Sequence, residues 1–303
     1  MSHAQVAPAR PNRLRAWLPF LLIAPSVILL LSLVLYPLLF ALKNSFYFWN
    51  LQRSAEPLQF IGLANYKMVL SGPEFLPSLT NTLILSVTGT IIEFALGLAV
   101  ALLLANRLPG MSVSRALLIL PTTIAPVVVG FLFRYMYDPA GGLAGWLLTL
   151  IGAPPPAEGI LGSSTTALAA ILFADVWQWT PFFAIVLYAG LLSVSPSLIE
   201  AARLDGASAW TMLWRIKLPL VMKTAVIIII LRFMQLFNTF DLVLVLTKGG
   251  PGLSSRTLGY TLYQQGLVDF NIGLASASTW IIVIMVNILV TLYAAIAFKN
   301  WEW

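Results

Sequence analysis

Six stretches of this chain are long and apolar enough to cross a lipid bilayer, and no other feature constrains its fold as tightly. They run over about Pro19–Leu42, Thr80–Ala105, Ala116–Tyr137, Thr166–Leu192, Thr224–Leu246 and Ala275–Phe298. A hydrocarbon core of about 30 Å is spanned by roughly 20 helical residues. Only 9% of the 303 residues are charged, against about 25% in soluble domains. The expected fold is therefore an all-α integral membrane protein with six transmembrane helices. The first stretch follows Arg10, Arg13 and Arg15 and continues from Trp17 to Phe40. That exceeds the roughly 7–15-residue apolar core of a cleavable signal, so it reads as a retained span. Residues 1–16 are then a tail, and 17–303 the membrane domain.

Loop charge predicts the orientation. With the N-terminus inside, Arg10, Arg13, Arg15, Arg107, Arg115, Arg203, Arg215, Lys217, Lys223 and Lys299 are cytoplasmic. Lys43, Arg53, Lys67, Arg134, Lys248 and Arg256 are outside, and Arg232 is left within the bilayer. Cytoplasmic loops carry the excess of Lys and Arg, so both termini are expected in the cytoplasm. The net charge of +6 belongs to these loops. Its scattered bases make no phosphate-tracking patch, so nucleic acid is not an expected partner. The chain has no cysteine, and its one histidine, His3, lies in the tail. Thiolate chemistry, Cys-ligated metals and His-based sites are set aside on that ground.

Three outer connections, Phe46–Leu79, Asp138–Thr165 and Thr247–Ala275, carry Gly and Pro clusters such as Pro154-Pro155-Pro156 and Gly249-Gly250-Pro251-Gly252. Permissive glycines and fixed proline φ angles make these ordinary turns. No soluble domain or internal repeat is visible.

The longest polar break is different. Ser193–Lys223 carries Glu200, Arg203, Asp205, Arg215, Lys217 and Lys223 between two very apolar segments. Ser197 and Glu200 fit a capping box, and Ser195 before Pro196 offers a second helix start. This helix should stop near Gly206, where the missing Cβ permits a sharp turn. A second helix from about Ala207 places Trp210, Leu213, Trp214 and Lys217 on one face, an aromatic surface suited to anchoring it on the bundle. Pro219 is expected to end or kink that helix. Small residues at Ala201, Ala202 and Ala207 leave room for another protein's backbone.

Glu200-Ala201-Ala202, three residues, Gly206, nine residues, then Ile216 and Leu218-Pro219 resemble the EAA motif of bacterial ABC importer permeases. Leu35-Tyr36-Pro37, Phe60-Ile61-Gly62-Leu63-Ala64-Asn65-Tyr66, Asn81-Thr82, Phe240-Asp241 and Leu246-Thr247-Lys248-Gly249-Gly250-Pro251 are similar to the maltose/glycerol-phosphate-type carbohydrate subgroup. The resemblance implies a type I ABC importer permease with a cytoplasmic coupling loop over 193–223. Glu200, Ala201, Ala202, Asp205, Gly206, Ala207, Ile216, Leu218 and Pro219 would contact the ATPase. It implies a second, different permease subunit, two ATPase subunits and an extracytoplasmic substrate-binding protein, all at the bacterial inner membrane. This chain would bind no cofactor, with ATP and Mg on the ATPase. In agreement, no G-x-x-x-x-G-K-[ST] phosphate cradle occurs.

Charges within spans cost at least about 2.5–3.5 kcal/mol on insertion scales and default to paired or functional roles. Glu93, Asp175, Arg232 and Asp241 are such groups. Arg232, Gln235 and Thr239, with Leu236 beside them, share one helix face, and Asp175, Gln178, Trp179 and Phe182 form a second stripe. Polar groups mixed with aromatic surface suit a carbohydrate. The resemblance implies substrate binding in these two spans. Arg232 is either paired to Asp175 or Asp241, or unpaired and suited to an anionic substrate. An ion-coupled secondary transporter using Glu93, Asp175 or Asp241 is the alternative. Inverted repeats would favour it, and none is visible.

Overall fold

The computed structural model describes residues 13–105 and 111–299. Helix α1 (Arg13–Asn44) leads into a two-stranded hairpin, β1 (Tyr47–Phe48) with β2 (Gln59–Phe60). Next come α2 (Ala64–Ser71), α3 (Phe75–Leu104), α4 (Met111–Thr123), α5 (Pro126–Met136), α6 (Leu143–Leu150) and α7 (Ala167–Leu192). The remainder is α8 (Pro196–Leu204), α9 (Ala209–Met212), α10 (Leu218–Phe237), α11 (Asp241–Leu246), α12 (Leu258–Tyr263) and α13 (Ile272–Ala297). Arg10, Arg107, His3 and the Trp301-Glu302-Trp303 tail, expected as an interfacial anchor, lie outside the described residues.

The expected spans are present with two corrections of continuity. The third is two helices, α4 and α5, bent by 96°. Pro126 forces the residue before it out of the helical region, and Ala125 is extended at ψ 138°. The break strands the Ile124 carbonyl, and Gln178 of α7 donates its Nε2–H to it at 2.8 Å. The fifth span breaks at Asn238–Phe240 before α11. There Thr257 donates its hydroxyl to the Thr239 carbonyl at 2.9 Å. Broken helices survive at membrane depth only where neighbours satisfy the freed backbone groups. The second span also starts five residues early, at Phe75 rather than Thr80.

Helices α3 and α7 form the centre of the bundle. Gly89, Glu93, Gly97 and Ala101 recur every four residues along the face of α3 that meets its neighbours. A Cβ at Gly97 would lie 2.4 Å from Phe183 Cβ, so glycine is what lets the backbones approach. Small residues serve this purpose in membranes, where packing rather than water expulsion drives helix association. Phe183, Leu187, Val221, Ala225 and Ile228 fill the half of the core nearest α8, and Val129, Phe133, Ile171, Leu242 and Val243 fill the other. Helix α1 packs along α13 and exposes apolar side chains over most of its length, as a peripheral span does.

Residues of α2 and of the first turns of α3 organise the end opposite α8. Asn65 donates to the Ser45 and Tyr47 carbonyls, both at 2.8 Å. Asn81 donates to the carbonyls of Leu253 and Arg256 at 2.8 and 3.0 Å. Thr82 Oγ1 accepts the Leu258 N–H at 2.9 Å. The loop following Gly249-Gly250-Pro251 is therefore pinned to the start of the second span.

Candidate functional site

The polar break folds as a helical hairpin, α8 and α9, between the two spans α7 and α10. Ser195 precedes Pro196 at the first helical turn, so the second of the two expected starts is used. The Ser197–Glu200 capping box does not form, because the Ser197 hydroxyl pairs with Ser195 Oγ at 2.7 Å. Helix α8 closes with Gly206 at φ +77°. The Gly206 N–H reaches the Arg203 carbonyl at 3.0 Å and the Ala207 N–H reaches that of Ala202 at 2.9 Å. These are the two bonds of a Schellman turn, which needs a left-handed residue at its corner. The spacing from Ala202 to Gly206 and Ala207 is thus a helix terminator written into the motif. Ala202 is buried, whereas Glu200, Ala201, Asp205 and Gly206 face outward.

Ser208 caps α9, its Oγ accepting the Thr211 N–H at 3.2 Å. Two expectations for this helix fail. Trp210 and Trp214 do not anchor it on the bundle: they are 69% and 51% exposed, with ring centroids 5.3 Å apart. Pro219 does not end it either. A wide turn over Leu213–Lys217, in which Leu218 N–H reaches back five residues to Leu213, carries the chain into α10. Pro219 then sits in the first turn of α10, where no intrahelical donor is required of it. Ile216 and Leu218 are half-buried along this connection. The hairpin is consequently continuous with a transmembrane helix.

The second constellation lies inside the bundle. Arg232 of α10 donates from Nε and Nη2 to the two carboxylate oxygens of Glu93 on α3, at 2.8 and 2.9 Å. The same Nη2 also bonds Asp175 of α7. Trp179 covers the guanidinium with its ring centroid 4.7 Å from Cζ, and Phe182 meets Trp179 edge-on at 6.1 Å. All three charged groups are buried. Such a bidentate, desolvated arrangement joins three spans at one point, and removing one member would strand the others.

This cluster overturns the idea of an unpaired Arg232. Of the two partners expected, Asp175 is present and Asp241 is not; Glu93, 139 residues away, takes the larger share. Asp175, Trp179, Phe182 and Arg232 come together. Gln178 donates an Nε2–H to the Ile124 carbonyl at the break, while its Oε1 is buried without a hydrogen-bond partner among the described residues. Leu236 packs inward against α3 at Gly89, Gln235 is exposed, and Thr239 is half-buried at the break. Sequence reasoning missed Glu93 as a partner and Asn81 and Thr82 as loop anchors. The four-residue recurrence around Glu93 was the available signal.

Comparison with known proteins accords with this architecture. The profile of the family described as "binding-protein-dependent transport system inner membrane component" matches residues 93–299. The chain is 35% identical over 281 residues to the trehalose/maltose transport system permease protein MalF of Thermococcus litoralis, covering 90% of this chain and 92% of that one. It is 31% identical to the sn-glycerol-3-phosphate transport system permease protein UgpA of Agrobacterium fabrum, with 91% and 92% covered. Among solved structures, a chain of a bacterial ABC transporter involved in alginate import shares the fold at a TM-score of 0.81 and 21% identity, covering 95% of this chain and 97% of that chain. A multi-pass helical bundle with an EAA-type hairpin, a matching family profile and relatives aligned nearly end to end lead to one conclusion: this chain belongs to the binding-protein-dependent transport system inner membrane components, the permeases of ABC importers.

Proposed function

We propose that this chain is one of two permease subunits of an ATP-driven importer that carries a carbohydrate or related polyol derivative across a bacterial inner membrane. The observation that carries the coupling part of this reading is the α8–α9 hairpin. It presents Leu204, Trp210 and Trp214 outward and runs without interruption into α10. A lever needs both an exposed grip and a rigid arm, and buried aromatic and aliphatic anchors dominate interface energetics once a partner covers them. The partner that grips it is an ATPase subunit on the cytoplasmic face, which places both termini there. ATP and Mg bind on that subunit. Glu200, Ala201, Asp205, Gly206 and Ala207 form the contact, Ala202 supports the turn from its buried side, and Ile216, Leu218 and Pro219 transmit its movement. A second permease subunit completes the path, and an extracytoplasmic binding protein delivers the solute.

Substrate passes between the spans that flank the hairpin, with Asp175, Trp179, Phe182, Arg232, Gln235, Leu236 and Thr239 around the path. Gln178 belongs to this set through its unpartnered Oε1, one Nε2–H being bonded to the Ile124 carbonyl. Of the carboxylates the ion-coupled alternative would use, Glu93 and Asp175 are both engaged by Arg232, which leaves Asp241 as its one candidate without an ion pair among the described residues. Copurification with uptake assays tests the reading. Transport is expected only with the ATPase subunit and ATP present; transport by this chain without them would refute it.

A further inference from the structure

Resting on the importer reading above, we infer that the solute this permease passes is uncharged, and that the Glu93–Arg232–Asp175 cluster excludes phosphorylated and carboxylated solutes. Helices α3, α7 and α13 contain no Lys or Arg, and α10–α11 contain Lys223 and Arg232 alone. Lys223 is nine residues nearer the hairpin, about 13 Å along the helix. Among these helices Arg232 is the one guanidinium that an anion at mid-membrane depth would meet.

It is not available. Its Nε and Nη2 are committed to Glu93 and Asp175, and its face is covered by Trp179. An incoming phosphate that took this bidentate Nε–Nη2 edge would displace a carboxylate, leaving that group buried without its counter-charge, which is strongly unfavourable. Nor does the balance of formal charge invite an anion. Two carboxylates face one guanidinium, and Asp241, half-buried at the break after α10, makes no ion pair among the described residues. A neutral polyol meets no such penalty. Trp179 and Phe182 are half-buried and offer ring faces, and Gln235 and Thr239 offer neutral hydrogen-bonding groups on the adjoining helix.

The test uses the complete transporter, with its partner permease, ATPase and binding protein, in cells depleted of other sugar importers. Initial uptake of radiolabelled trehalose and maltose is compared with that of sn-glycerol 3-phosphate. The faster of the two disaccharides should exceed glycerol phosphate by about tenfold or more, a preference of about 1.4 kcal/mol. Glycerol phosphate entering at a comparable or higher rate, or neither disaccharide entering, would overturn the inference. Asp175→Asn removes one carboxylate and leaves the bidentate Glu93 pair in place. In that variant the glycerol phosphate to disaccharide ratio should rise by about tenfold. The ratio is insensitive to partial loss of assembled transporter, and an unchanged ratio would overturn the role given to the cluster. ATP depletion is read separately: uptake that survives it defeats the importer reading whatever the charge preference.

Discussion

Glu93, Asp175 and Arg232 are 0%, 4% and 3% exposed and satisfy one another across three spans. Leu204, Trp210 and Trp214, some tens of residues away in the chain, are 89%, 69% and 51% exposed on a short hairpin. Both sets sit where residue type and environment disagree: charges inside a bilayer, large apolar side chains outside the bundle. The disagreement is resolved within this chain in the first set. In the second it stays unresolved within the chain, and on the proposed reading that contrast separates the groups that hold the permease together from those that would connect it to its energy source.

Variants that break the first set should cost the most. Arg232→Met leaves two buried carboxylates without a counter-charge and should destabilise the protein by about 3–5 kcal/mol. Thermal unfolding of the detergent-purified chain measures this, and an unaltered melting temperature would remove the cluster's structural role. Gly97→Leu comes next. Its added side chain meets Phe183 where even a Cβ would lie 2.4 Å away, and overpacking of this kind typically costs about 1–3 kcal/mol. The same melting assay reads it, with lowered yield of folded protein as the accompanying sign.

Variants in the second set should behave in the opposite manner, with small stability effects and large effects on coupling. Gly206→Val forces a β-branched residue into a left-handed conformation, a local strain of about 1–2 kcal/mol. Insertion and the melting of the spans should persist while substrate-stimulated ATP hydrolysis is lost. Normal stimulation would contradict the placing of the hairpin at the ATPase. Trp210→Ala should change stability least, by about 0.5 kcal/mol or less, as exposed positions do. The amount of ATPase that copurifies should nevertheless fall; an unchanged amount would shift the docking surface away from this face.

Much of this division is legible in the sequence, at particular residues. Mean hydropathy locates the spans because a bilayer imposes their length, and the spacing of Ala202, Gly206 and Ala207 encodes a helix terminator through local backbone bonds. Breaks are harder to read. Hydropathy averages over Ile124-Ala125-Pro126 without registering that Pro126 turns the chain by 96°, although the proline itself was the signal. Pairing across spans is harder still. Nothing local relates Glu93 to Arg232, and Asp241 was as plausible a partner as Asp175 until the helices were placed. The amide of Gln178 resembles a sugar ligand in a helical stripe, but a stranded carbonyl on another helix claims one of its N–H groups. The aromatic face of α9 was misjudged because periodicity shows that a face exists and does not show which molecule it meets.

The absence of cysteine from the chain makes the decisive measurement clean. A single Leu204→Cys variant, assembled with its ATPase subunits, provides this chain with one thiol, at the most exposed large apolar side chain of the hairpin. Treatment with a crosslinker that couples one end to the thiol and carries a photoactivatable group on the other should join this chain to the ATPase subunit, and a membrane-impermeant maleimide should label the free thiol only from the cytoplasmic face. Labelling from the outer face, or no crosslink in a complex that hydrolyses ATP normally, would contradict the assignment of this hairpin as the point where the energy of ATP enters the permease.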